Sequence, residues 1–236
     1  FVPPAVFSPP QQIAQSTTKT PLQSLLEGSI DRDNFDALVE AIYSSFRSVD
    51  QTHDEVRELS GRLDETSGEA EEELRERLGI LHYALGEYTA ALQELQRVSD
   101  RKEAAHFLGR TYMELRRMDQ AQTALEGGRR GEEDFQTDVL MVDIHCFQRS
   151  PGPAREICEG YRDTHEGDPR WLYAMGRVLE TEGSYGEAME HYELATELDS
   201  DHLNAKFALA YSCDLRGDEE AAIHHYKQIL KYNPSH

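Results

Sequence analysis

The fold is decided by two adjoining stretches of equal length, PRWLYAMGRVLETEGSYGEAMEHYELATELDSDH at residues 169–202 and LNAKFALAYSCDLRGDEEAAIHHYKQILKYNPSH at residues 203–236. Each stretch reads as two amphipathic helices joined by a turn at glycine. At an offset of 34 residues the matched pairs are Gly183 with Gly217, Ala188 with Ala222, and Tyr192 with Tyr226. A two-helix unit that recurs at a fixed period predicts helical repeats stacked in a row, rather than helices around one globular centre.

These residues resemble the units of the tetratricopeptide repeat (TPR) family. In a TPR unit of about 34 residues, small residues stand at positions 8 and 20 and a large residue stands at position 24. These three positions hold Gly176, Ala188 and Tyr192 in one stretch, and Ala210, Ala222 and Tyr226 in the other. The family often has proline at position 32, which Pro234 retains and Ser200 replaces. Small side chains are needed because the two helices of a unit cross closely at these points.

The pattern continues upstream with more variation, through units at residues 72–101, 102–134 and 135–168. The same three positions hold Gly79, Ala91 and Leu95, then Gly109, Ala121 and Leu125, then Val142, Ala154 and Cys158. In the third of these units we expect Pro151–Gly152–Pro153 to form the turn between the helices. The resemblance implies an all-α fold, a right-handed α-α superhelix (TPR solenoid) of about five helical hairpins over residues 72–236.

The residues ahead of the repeats divide into two segments. Residues 1–20 contain Pro3, Pro4, Pro9 and Pro10 and predict an extended or disordered tail. Residues 21–68 predict an acidic helical hairpin, in which one helix runs from about Asp33 to Ser48 and a second, more polar helix follows. The apolar face of the first helix consists of Leu38, Val39, Ile42, Tyr43 and Phe46. Because the chain begins with Phe1 instead of Met, we expect it to be processed or a fragment.

A finer resemblance rests on the run FALAYSCDLRGDEEAAIHHY at residues 207–226, together with the acidic lead-in. The two are similar to bacterial TPR proteins whose chains continue into a small domain similar to the C-terminal domain of the RNA polymerase alpha subunit. That domain is not among these residues.

The charge, the cysteines and the motifs of the chain indicate which ligands and activities are not expected. The formal net charge is −21, and residues 31–76 contain 15 acidic and 5 basic residues. Such a chain repels nucleic acid phosphates and anionic lipid head groups, so neither is an expected ligand. The three cysteines, Cys146, Cys158 and Cys213, include no CxxC pair and are expected to be buried in a cytoplasmic protein. No catalytic motif, metal site or cofactor is predicted, so we do not expect an enzyme.

The resemblance also implies a binding groove. In TPR proteins the first helix of each unit lines a concave surface through positions 2, 5, 6, 9, 12 and 13. Carried over to this chain, the predicted peptide-binding groove consists of Arg77, His106, Arg110, Met113, Phe147, Arg170, Tyr173, Arg177, Phe207 and Tyr211. Arginine and aromatic residues are enriched at binding hot spots, and basic groups in an acidic protein favour an acidic peptide as partner. Charge reversal at Arg177 is expected to weaken binding and leave the thermal midpoint nearly unchanged.

Two functions are therefore predicted. The first is a scaffold or adaptor that binds a peptide segment in the concave groove. The alternative is a structural assembly subunit that self-associates through its terminal repeats as a homo-oligomer. Its last helix carries the apolar residues Ile223, Tyr226, Ile229 and Leu230, and we expect some of them to face outward. We expect either further units or a second chain to cover them.

Overall fold

The computed structural model describes residues 19–232, so the predicted tail lies outside the described residues except for Lys19 and Thr20. Before the repeats come three helices, α1 Pro21–Glu27, α2 Phe35–Tyr43 and α3 Phe46–Arg62. The remaining helices are α4 Glu69–Ala84, α5 Tyr88–Leu95, α6 Lys102–Glu114, α7 Met118–Gly127, α8 Phe135–Phe147, α9 Pro151–Gly160, α10 Arg162–His165, α11 Pro169–Glu182, α12 Tyr185–Leu198, α13 Leu203–Leu215 and α14 Glu219–Tyr232.

The repeats form five antiparallel hairpins. The pairs are α4 with α5, α6 with α7, α8 with α9, α11 with α12, and α13 with α14. The second helix of a hairpin packs on the first helix of the next, so the hairpins stack in sequence order. The predicted all-α repeat fold is confirmed.

Three glycines show why position 8 must be small. A Cβ atom added to Gly79 would lie 2.4 Å from Leu95 Cγ, and one added to Gly109 would lie 2.5 Å from Leu125 Cγ. At Gly176 the same atom would lie 2.4 Å from Tyr192 Cε1. In these three units the large residue of the second helix therefore occupies the space that a side chain on the first helix would need. The 34-residue pattern is thus a packing rule, with position 24 filling the gap at position 8.

The turn inside each hairpin has one residue in the left-handed region. That residue is Gly86, Arg116, Arg149, Gly183 or Gly217, with φ between 59° and 89°. The prediction that Pro151–Gly152–Pro153 forms the turn of the third unit is wrong. These residues are the first turn of α9, where proline is tolerated because the first N–H groups of a helix have no partner within it. Arg149 makes the turn instead.

The prediction of a single helix from Asp33 to Ser48 is also wrong. The helix ends at Tyr43, and Ser45 has extended backbone with φ −161° and ψ 158°. Its hydroxyl accepts a hydrogen bond from the N–H of Ser48 at 3.2 Å and so begins α3. Phe46, assigned to the apolar face, is instead 94% exposed. The lead-in consists of three helices rather than a hairpin.

Two clusters of apolar side chains meet at α8. The first extends from α1 to Met141 and Ile144 of α8, and the second extends from Val142 of α8 to α14. The three cysteines are buried and unpaired, as predicted. Among the described helices, none combines the length and hydropathy that a membrane crossing requires.

Candidate peptide-binding surface

The concave face divides into two parts. Its lining helices are α4, α6, α8, α11 and α13, the first helices of the five units. Over the first two units and the start of the third, the face is covered by residues 20–43 of the same chain, which we call the strap. Over the last two units and the end of α8 it is not covered by the strap, and we call this region the open part.

Arg32 anchors the strap in the covered part. Its side chain is 1% exposed. Its guanidinium contacts the Asp134 carboxylate at 2.9 Å and the Gly128 carbonyl oxygen at 2.7 Å, and also reaches Glu103 at 3.2 Å. These groups are 71 to 102 residues away along the chain. A buried guanidinium is stable only when its donors are satisfied, and these acceptors satisfy it.

Phe35 fills the neighbouring part of the concave face. Its ring lies 4.9 Å from the Phe107 ring and 5.6 Å from the Tyr83 ring, measured between centroids. The Arg110 guanidinium stacks over the Phe35 ring at 4.7 Å, which is within cation–π range. The predicted groove residue Arg110 therefore faces the concave surface, where its contact is with the chain's own strap.

The other predicted groove residues of the first two units are also engaged within the chain. Arg77 donates to the Gly28 carbonyl oxygen at 2.7 Å, and Met113 packs against the core. The prediction that His106 faces an open groove is wrong, because it is buried against Thr137. Burial, with the Arg32 charge as a smaller contribution, lowers the pKa of His106 to about 2. The sequence had no signal for the strap, because its contacts are nonlocal.

In the open part, Asp143 and Arg177 establish the register between units. The Arg177 guanidinium contacts Asp143 Oδ1 at 2.8 Å and the Tyr173 hydroxyl oxygen at 3.0 Å. Burial opposes the charge of Arg177, but Asp143, Tyr173 and Tyr192 together outweigh burial and raise the pKa of Arg177. Asp143, Arg177 and Tyr211 are spaced by 34 residues, at equivalent positions of α8, α11 and α13. Tyr211 therefore follows Arg177 in the same row along the concave face.

Three of the predicted groove residues are exposed aromatic side chains: Phe147, Phe207 and Tyr211. Phe147 lies beneath the Arg116 guanidinium at 5.5 Å, at the end of α8. Tyr173 is only 6% exposed, so the prediction that it offers a free surface is wrong. Its ring lies 5.3 Å from that of His202, the residue before α13, and 6.1 Å from that of Tyr192 in its own unit. Phe207, one repeat later, is 55% exposed.

The arginines of the face do not make it strongly basic. Arg170 forms a two-pronged contact with Asp168 at 3.0 and 2.6 Å, and Arg177 is paired with Asp143. Arg77 lies 3.5 Å from Glu55. Because each of these positive charges has a carboxylate beside it, the field that would select an acidic ligand is largely cancelled.

The outer face of the last hairpin is apolar in part. Ile223 and Leu230 are exposed, as the sequence predicted, whereas Ile229 is buried and Tyr226 is partly buried. Ile223 is the repeat equivalent of Met189, which the fifth unit covers through Arg216 at 3.2 Å from its sulfur. Ile229 is buried because its side of α14 packs onto α13 of the same hairpin.

Neither a metal centre nor a catalytic cluster is evident in the described residues. Within residues 19–232, no group of three or more His, Cys, Asp or Glu side chains is arranged to hold a metal ion. Buried side-chain nitrogen and oxygen atoms in the described region all have hydrogen-bond partners. The buried polar groups of this region are thus all engaged in hydrogen bonds.

Stacked antiparallel hairpins with close contacts at positions 8 and 24 define a helical repeat protein of the solenoid class. Residues 102–127, 170–202 and 203–236 match the family model for the tetratricopeptide repeat. The described hairpins over these residues are therefore tetratricopeptide repeats.

Two groups of known proteins are similar to it. The photosystem I assembly protein Ycf3 of Prochlorococcus marinus (strain NATL2A) is 32% identical over 77 residues, which are 30% of this chain and 43% of that protein. Ycf3 of Synechococcus elongatus is 36% identical over 66 residues, 26% of this chain and 38% of that protein. The chain thus spans less than half the length of these curated relatives. The crystal structure of the APC/C hetero-tetramer Cut9–Hcn1 matches 85% of this chain and 39% of its own, with a TM-score of 0.64 and 16% identity.

Proposed function

We propose that this chain is a protein-interaction scaffold that binds a peptide segment on the open part of its concave face. TPR repeats are protein-binding modules, and no enzyme family is among the matches. The observation that carries the proposal is the pair of exposed aromatic side chains, Phe207 and Tyr211, on the same helix and in register with the fixed Arg177. Aromatic and arginine side chains contribute most of the binding energy at many interfaces.

The partner that fits this surface is an extended or helical segment with apolar side chains. Phe207 and Tyr211 are one helical turn apart, so both contact the same stretch of ligand. We do not propose an acidic partner, because Arg170 and Arg177 already have carboxylate partners. Arg177 instead offers a rigid polar edge, since Asp143 and the Tyr173 hydroxyl hold its guanidinium in one orientation.

The test begins with peptides selected from a random library on the immobilised chain, whose affinities are then measured by calorimetry. Tyr211→Ser is expected to weaken binding at least tenfold, a typical loss for an aromatic hot spot. The matched control is Tyr185→Ser, which changes another exposed tyrosine at the start of α12, on the second helix of its hairpin. Equal affinity for the two variants contradicts the proposal. Arg177 is unsuitable for this test, because its loss leaves the partly buried Asp143 without its positively charged partner.

Self-association through the last hairpin is the second candidate function. It is favoured by the exposure of Ile223 and Leu230 on α14 beside Leu215 of α13. Under this alternative, molar mass from light scattering rises with concentration, and Ile223→Asp abolishes the rise without affecting peptide affinity. A constant monomer mass up to millimolar concentration excludes it.

A further inference from the structure

The strap and its hinge carry an inference that goes beyond the proposed function. The strap contacts α3 as well as the repeat units, but its buried ion pairs and ring contacts are made with the repeat units. Besides the Arg32 and Phe35 contacts, Asp33 pairs with Arg130 at 2.6 Å and lies 3.4 Å from the Gln136 amide. A second copy of the chain offers an identical concave face. The strap of one copy fits the array of another as well as its own.

The hinge between strap and repeats is a single residue. Ser44 already has helical backbone, with φ −61° and ψ −26°. Only Ser45 departs from the helical region, at φ −161° and ψ 158°. Rotation of Ser45 into the helical region joins α2 and α3 in one helix over residues 35–62, about 42 Å long. Such a helix carries the strap away from its own array.

The apolar pattern fits the joined helix better than the broken one. The apolar stripe consists of Phe35, Leu38 and Ile42 in α2, and of Val49, Thr52, Val56 and Leu59 in α3. Neighbouring members of the stripe are three or four residues apart, except for Ile42 and Val49. Phe46 lies between them, four residues after Ile42 and three residues before Val49, and so completes the helical spacing. With Ser45 extended, Phe46 is 94% exposed. A continuous helix returns its ring to the apolar stripe.

We propose that this chain forms an exchanged dimer, in which Ser45 becomes helical and the strap of each copy occupies the concave face of the other. Each copy then supplies Arg32 to the acceptors of its partner: Glu103, Asp134 and the Gly128 carbonyl oxygen. The contacts in the two forms are the same, so the balance between them is set at the hinge. The closed form has the Ser45 cap on α3, and the exchanged form has a continuous helix with Phe46 covered.

Two hinge variants shift this balance in opposite directions. Ser45→Ala removes the cap and favours the helix, so the dimer association constant is expected to rise at least tenfold, since each dimer contains two hinges. Phe46→Pro occupies the first position of α3, where proline is tolerated, and prevents a continuous helix. It also favours the extended backbone of the preceding Ser45. This variant is expected to reduce the constant at least tenfold.

Cross-linking distinguishes exchange from contact through the last hairpin. One preparation carries Asp33→Cys and another carries Gln136→Cys, and the native cysteines are buried. After the two are mixed and warmed to allow opening, a short bis-maleimide is expected to join them into a heterodimer. A single chain with both substitutions serves as the positive control, because it cross-links within the chain in the closed form and between chains in the exchanged form.

The outcomes separate the possibilities. A heterodimer that increases in the Ser45→Ala background and disappears in the Phe46→Pro background supports exchange. The proposal is overturned by internal cross-linking without any heterodimer, or by a dimer that responds to Ile223→Asp and not to the hinge variants. Peptide binding on the open part does not involve the hinge, so failure here leaves the scaffold test unaffected.

Discussion

Replacing Gly176 by alanine tests the packing rule that gives this fold its period. A methyl group at this position lies 2.4 Å from Cε1, 2.7 Å from Cδ1 and 3.1 Å from Cζ of Tyr192. Ordinary carbon contacts are about 3.5–4 Å, so the ring must move by roughly 1 Å. The ring is fully buried, and its hydroxyl donates to Glu180 Oε2 at 2.8 Å. Movement therefore disturbs both the core and this hydrogen bond.

The magnitude follows from three contributions. Overpacking of a core costs about 1–3 kcal/mol. Weakening a hydrogen bond to a charged acceptor costs up to about 1.5–3 kcal/mol, and alanine in place of glycine in a helix gains about 1 kcal/mol. The expected net loss of stability is about 1–3 kcal/mol. The matched control is Gly186→Ala in α12 of the same unit, where nothing lies within 4 Å of the new atom, and it is expected to gain about 0.5–1 kcal/mol.

The assay is urea unfolding followed by the fluorescence of Trp171. This residue is the single tryptophan of the chain and is buried in α11 of the affected unit. Because repeat arrays unfold in parts, a local probe reports this unit more directly than total helicity. Circular dichroism then shows how far the loss spreads. If the two alanine variants have equal unfolding midpoints, close contact between positions 8 and 24 does not limit this fold.

Three further predictions concern single sites. Arg149→Gly is expected to stabilise the chain by about 1 kcal/mol in urea unfolding, because Arg149 has φ 59°, whereas Gln148→Gly next to it should destabilise; two changes of the same sign contradict the strain argument. The pKa of His106 is about 2 in the folded chain and near 6.5 in the unfolded chain, so the unfolded chain takes up a proton first as the pH falls. The free energy of unfolding is therefore highest above pH 6.5 and falls by about 2 kcal/mol between pH 6.5 and 5. His106→Gln should remove that part of the pH dependence, and an unchanged slope of unfolding free energy against pH would refute the assignment. Burial raises the pKa of the Cys158 thiol to about 12, so a water-soluble disulfide reagent should modify it only after unfolding, and rapid reaction in native buffer would contradict its burial.

Several contacts of the candidate site could not be predicted from the sequence, because they join residues that are far apart in the chain. Position numbers placed Arg110, Arg177 and Tyr211 on the concave face, because a helix fixes which residues share a side. They did not indicate that Phe35 covers Arg110, because that contact joins residues far apart in the chain. Nor did they indicate that Asp143 is the partner of Arg177, since pairing depends on the spacing between stacked units.

The sequence alone determined the repeating unit. Two helices that cross closely require small residues at the contact and a left-handed residue in the turn between them. These requirements are local, so the sequence shows them directly, as the period of 34 residues, the glycines at 79, 109 and 176, and the left-handed glycines at 86, 183 and 217. Only the tertiary structure decided that α2 stops at Tyr43 and lies on the repeats. The apolar pattern from Phe35 to Leu59 also suits one unbroken helix, and the choice is made by long-range contacts of Arg32 and Phe35 that no sequence period encodes.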